Sequence, residues 1–231
     1  MNILINGGSK GIGRATALRL SEVAGNKIIV TGRDELSLRS LSEASEHKNI
    51  SFFGMDTTLN DERLKKLKNH IEKEKIILDV IINTVGYLKK SLFLKSDIKS
   101  AREMMEVNFF GPIGFIREMV PYLKNGSHIV NIGSMGGFQG SIKFSGLSWY
   151  SSSKAALACM TESLAPELAD LGIRINCICP GAVQTEMLEE AFPGYKAPLT
   201  ASEMAEFISY FALNGHRFFN GKILPVSLST P

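Results

Sequence analysis

The chain is short of cysteine and tryptophan, has little charge of one sign, and has no long apolar run. Its three cysteines among 231 residues, Cys159, Cys177 and Cys179, show neither metal-ligand nor redox spacing, which excludes a disulfide scaffold. Cys177 and Cys179 alternate on an expected strand, so both thiols face one side and read as buried and inert. No apolar stretch reaches the roughly 18 residues of a membrane-spanning helix. The segment Met1–Ile5 lacks the basic region and long apolar core of a secretory leader. Lysine and arginine number 26 against 23 acids, a net charge of +3. That balance argues against a nucleic-acid or membrane-surface partner. The expectation is a cytoplasmic protein that meets small molecules.

What is present is enough apolar material for a sizeable core: 44% of residues are hydrophobic and 21% charged. Short, continuous apolar runs recur at Ile3–Ile5, Lys27–Thr31, Ile50–Met55, Leu78–Asn83, His128–Ile132, Ile173–Cys179 and Lys222–Val226. Continuous rather than alternating runs suit strands buried on both faces. Helical patterns lie between them, at Gly11–Val23, Asp34–Glu46, Asn60–Lys75, Ile98–Lys124 (broken near Gly111-Pro112), Trp149–Leu171 and Ala201–Leu213. This alternation predicts a doubly wound parallel α/β sheet of seven strands with helices on both faces, one domain across residues 1–231.

The stretch NGGSKGIG, residues 6–13, sets four glycines between the first strand and the first helix. Glycine lets backbone amides approach a pyrophosphate, and a helix N-terminus adds favourable partial charge. Gly7, Ser9, Lys10, Gly11, Ile12 and Gly13 are therefore candidate dinucleotide contacts. The second strand ends in Thr31-Gly32-Arg33. An acid placed there would hold the ribose hydroxyls of NAD and repel a 2′-phosphate; Arg33 can pair with that phosphate. With Lys10 and Arg14 near, the expected cofactor is NADP(H).

Tyr150 and Lys154, four apart in WYSSSKAAL, share one helix face. A nearby ammonium favours the phenolate and would lower the phenol pKa toward a useful range. The pair alone is common. The ordered set of motifs is not, and it resembles the short-chain dehydrogenase/reductase family in its compact form, from residue 2 to about residue 226. NGGSKGIG is similar to the family's T-G-x-x-x-G-x-G, NTVG (Asn83 to Gly86) to N-N-A-G, and YSSSK to Y-x-x-x-K. VNFFG places Asn108, IVNIGS places Ser134, and CPGAVQT places Pro180, Gly181, Val183 and Thr185 in the family's order.

The resemblance implies a hydride transfer between nicotinamide and a carbonyl or secondary alcohol, with Tyr150 as proton donor and acceptor. Ser134 would orient the substrate oxygen. Lys154 would tune Tyr150 and bind the nicotinamide ribose, and Asn108 would hold a water feeding Lys154. Asp56 would meet the adenine; Asn83, Gly86, Pro180, Gly181, Val183 and Thr185 would complete the cofactor site. No metal is implied. Taken singly, Ser134 also fits a turn, and Asn108, Asp56 and Thr185 also fit helix caps. Asn6, Thr84 and Val85 depart from the family pattern. The 16 positions from Ser134 to Tyr150 are a few more than usual, and the glycine-rich finish after the last strand is missing. Met135, Phe138, Phe144, Trp149, Phe192 and Tyr195 are the expected substrate walls, with Lys143 and Lys196 at the rim and a lid over residues 186–200. The family also implies a homodimer or homotetramer. A non-catalytic module that senses NADP(H) is the other function class such a fold can serve; it would have no need of a proton donor.

Overall fold

The computed structural model describes residues 1–56 and 62–228. Seven parallel strands form one sheet: β1 (Asn2–Asn6), β2 (Lys27–Gly32), β3 (Ile50–Gly54), β4 (Leu78–Asn83), β5 (Leu123–Ile132), β6 (Arg174–Pro180) and β9 (Ile223–Val226), in the order β3-β2-β1-β4-β5-β6-β9. Consecutive side chains leave opposite faces. Ile3 and Ile5 accordingly pack with Leu20, Leu38, Ile208 and Phe211, whereas Leu4 packs with Leu67, Ile71, Phe115 and Leu168. The first layer comprises helices α1 (Gly11–Ser21), α2 (Glu35–Ala44) and α8 (Ala201–Asn214). The second comprises α3 (Glu62–Lys73), α5 (Gly111–Met119) and α6 (Ser148–Ala169). Burial on both sides explains the unbroken apolar runs.

Local signals fix several boundaries. Asp34 caps α2 by accepting from the Ser37 amide at 3.0 Å. Thr200 and Glu203 form a capping box at the head of α8. The start of the expected helix Asn60–Lys75 lies outside the described residues, and α3 is helical from Glu62. The expected helix over 98–124 is shorter and is interrupted: α4 (Ile98–Met105) passes through a π-helical turn, Glu106–Phe110, into α5, and β5 already begins at Leu123. Pro112 has no N–H to give the Asn108 carbonyl four residues back, which favours a widened turn there. A two-stranded parallel ribbon, β7 (Val183–Gln184) with β8 (Leu199–Thr200), brackets α7 (Glu186–Ala191) and was not legible in the sequence.

The sheet order reverses between β1 and β4, and ligands of open α/β sheets bind beyond the strand C-termini at such a point. Just inside it, polar side chains cross the sheet in a relay. Thr31 donates to Asn6 (2.9 Å), Asn6 to Asn83 (3.1 Å), Asn83 to Asn131 (2.8 Å) and Asn131 to Thr161 (2.9 Å), all buried.

Candidate active site

A cleft of about 580 Å³ opens at the switch point, within the usual range for cofactor and ligand sites. Its floor is the loop between β1 and α1. Gly7 has φ +97°, and a Cβ on Gly13 would lie 2.3 Å from the Gly7 carbonyl oxygen, so only glycine closes this turn. No side chain caps α1, and Gly11, Ile12 and Gly13 line the cleft with their helix-end amides. Gly7, Ser9, Lys10, Arg33 and Asp56 line it as well, as do Gly86, Pro180, Gly181, Val183 and Thr185. Thr185 also caps α7, accepting from the Leu188 amide, so the two roles expected of it as alternatives coexist.

At the end of the cleft beside β2 and β3, Arg33 is exposed and makes no ion pair among the described residues. Asp34 beside it is occupied. Its carboxylate accepts from the Ser37 amide and hydroxyl and faces Lys10 at 3.9 Å. The Ser37 amide and hydroxyl, then Lys10, hold it below the ordinary carboxylate value. Arg14 turns away, donating to the Ser37 carbonyl and the Ser40 hydroxyl of α2, so it is no third cation here.

At the other end, Ser134, Tyr150 and Lys154 come together. Lys154 is buried, and its ammonium donates to the Ile132 (2.9 Å) and Val85 (3.2 Å) carbonyls. Burial pushes its pKa down to about 8. Burial also raises the phenol of Tyr150, while a hydrogen bond with Ser134 pulls it back. The structure therefore departs from the expected lowering of Tyr150 by its neighbour: the ammonium is held by backbone carbonyls, and desolvation dominates the phenol.

Two predicted residues stand elsewhere. Asn83 does not line the cleft; it is buried in the sheet relay, with its amide shared between Asn6 and Asn131. Asn108 is also fully buried, and its side chain is spent. It accepts from the Tyr87 amide (2.7 Å) and donates to the Tyr87 carbonyl and the Ser153 hydroxyl (2.9 Å each). Its side chain thus clamps the stretch after β4 to α6.

The substrate end is walled by Met135, Phe144, Leu147, Met187, Phe192 and Tyr195. Phe138 instead lines a separate open groove behind the 136–146 loop. Trp149 packs in a tilted pair with Phe93 and donates to Ser96. Lys143 is tied to the Phe138 carbonyl and the Ser141 hydroxyl, away from the rim. Tyr87, Leu88 and Leu147 line the cleft without any motif that marks them.

The model of the short chain dehydrogenase family matches residues 1–196. The chain belongs to the short-chain dehydrogenase/reductase family. An NADP-dependent 3-hydroxy acid dehydrogenase of Schizosaccharomyces pombe is 33% identical to this family member over 225 residues, covering 90% of this chain and 85% of the relative. An uncharacterized oxidoreductase of Staphylococcus saprophyticus is 30% identical over 213 residues, covering 90% and 88%. A solved structure of ElxO with NADP bound superposes with a TM-score of 0.81 at 28% identity, covering 98% of this chain and 96% of that one. The protein is an oxidoreductase of this family. No helix of the described residues is long and apolar enough to cross a membrane.

Proposed function

We propose that this dehydrogenase/reductase uses NADP(H) and acts on a carbonyl compound or its secondary alcohol, with Tyr150 as general acid and base. The carrying observation is one cleft with Arg33 and Asp56 at one end and Ser134, Tyr150 and Lys154 at the other. The residues fit a dinucleotide: a tight turn at Gly7 and Gly13 that admits no Cβ, an uncapped helix end for the pyrophosphate, and the exposed Arg33 guanidinium, without an ion pair among the described residues, for a 2′-phosphate. When bound, the nicotinamide supplies or accepts the hydride.

The chain's own groups manage the proton and the geometry. The raised phenol of Tyr150 keeps its proton at neutral pH, ready to give to a carbonyl oxygen and to take back in oxidation. Ser134, already bonded to that phenol, stands where it can hold the same oxygen. Lys154 has three N–H donors and spends two on carbonyls, leaving one for a ribose hydroxyl. Asn108 contributes by fixing the stretch around Tyr87 against α6. Residues 186–200 act as a lid: Met187 reaches across to Gly86, within 3.4 Å of where a Cβ would stand. The chain works as one domain, and exposed apolar side chains around α4 and α5, such as Ile98 and Phe110, suit a homodimer or homotetramer.

NADPH oxidation followed by absorbance against a panel of ketones and aldehydes tests this directly. Turnover with NADPH well above that with NADH, and loss of the preference in Arg33→Ala, are expected. A preference for NADH that survives Arg33→Ala contradicts the cofactor assignment. Tight coenzyme binding with no turnover across the panel contradicts the enzyme and favours a sensor.

A further inference from the structure

Two lysines follow one another after β4, and the structure treats them differently. Lys89 is engaged: its ammonium donates to the Ser100 hydroxyl at 2.7 Å and pairs with Asp97 at 3.3 Å. Lys90 is exposed and leans over one residue of the cleft wall. Its Cγ would lie 3.1 Å from a Cβ on Gly146, next to the wall residue Leu147. Its ammonium sits over the Phe192 ring, 4.0 Å from the centroid. Among the described residues it pairs with no acid. Phe192 itself lines the cleft with Phe144, Met187 and Tyr195. An ammonium held on a ring, with no ion pair among the described residues, therefore stands beside a substrate end walled mainly by apolar side chains.

Other charges face the same cleft. Lys10, Arg33 and Lys154 belong to the coenzyme side, and Glu186 and Glu190 of α7 line it too. The two acids repel an anion, so Lys90 is the cation left to attract one at the substrate end. A ring face holds an exposed cation only modestly, and a carboxylate offers it a charge-assisted hydrogen bond as well.

We propose that Lys90 is a specificity residue that reads a carboxylate on the substrate, remote from the reacting carbonyl, across an apolar spacer. The substrate class is then keto acids and their hydroxy-acid products. This rests on the carbonyl-reducing function proposed above. The test uses straight-chain keto acids of increasing length, each beside its methyl ester. Binding is measured by calorimetry with NADP⁺ present, and KM in steady-state reduction by NADPH. At the favoured length the parent should prefer acid over ester by about threefold, the size expected of an exposed ion pair. Lys90→Met should bring that ratio to one, Lys90→Arg should keep it, and Lys90→Glu should invert it; added salt should weaken it. An acid-to-ester ratio unchanged in Lys90→Met overturns the assignment. A Lys90-dependent preference in binding, with no reduction of any acid or ester, supports Lys90 as an anion reader and overturns the reductase alone.

Discussion

Two buried polar networks lie close together along the sheet and end differently. The row Thr31, Asn6, Asn83, Asn131 and Thr161 is closed: each link accepts from one neighbour and donates to the next, finishing on the Leu157 carbonyl. The cluster around Tyr150 is open: Ser134, the phenol and one Lys154 N–H face the cleft, while Asn108 and Ser153 close only its back. Both draw on short polar side chains and backbone carbonyls. A closed network satisfies its members and stiffens the sheet; an open one leaves donors aimed at what enters. Proximity in sequence does not decide which network a residue joins: from one four-residue motif, Asn83 joins the closed row and the Val85 carbonyl joins the open cluster.

The sharpest way to break this contrast is to remove the charge from the open cluster. Lys154→Met should lower kcat/KM by roughly 10²–10³, read by steady-state kinetics, while the folded state persists. Next, Asn83→Ala opens the closed row by orphaning the Asn6 donor and the Asn131 acceptor. It should cost about 3 kcal/mol in urea unfolding, with coenzyme affinity held within about threefold. A large loss of coenzyme affinity without a loss of stability would return Asn83 to the cofactor site.

A third, smaller effect sharpens the contrast from the far end of β5. Buried His128 donates from Nδ1 to the Ala212 carbonyl and accepts at Nε2 from Asn176. Burial pushes its pKa down to about 4, helped by His216 and opposed by the Ala212 carbonyl. The unfolded chain takes this proton below pH of about 6.5, and the folded chain only near 4. Protons therefore favour the unfolded state in that window, and stability falls as pH drops through it, by no more than about 3 kcal/mol. Urea midpoints of the parent and His128→Phe across the window should show the steeper slope in the parent, the remainder coming from His216 and the lowered carboxylates.

Much of this was legible in the sequence, for identifiable reasons. Strands buried on both faces write themselves as unbroken apolar runs, and the glycine loop and the Tyr150–Lys154 spacing are short-range patterns. What failed was long-range. The π-helical turn keeps a helical apolar pattern across Glu106–Phe110, so only Pro112 hinted at it. Phe138 left the expected wall because the loop after Ser134 folds back on itself, pinned by Ser141 and Lys143, and Trp149 because Phe93 and Ser96 hold its ring. Lys90 reads as half of a solvated lysine pair until Phe192 is brought to it from 102 positions away. The pKa expectation for Tyr150 counted the neighbouring charge and missed the burial.

The proposed proton donor at the open end of the cleft is the phenol of Tyr150. Single-turnover reduction of a good carbonyl substrate by pre-bound NADPH, in the parent and in Tyr150→Phe, tests it most directly. Hydride transfer should fall by roughly 10²–10⁴ while NADPH binds the variant as it binds the parent. Transfer at the parental rate in Tyr150→Phe would contradict it.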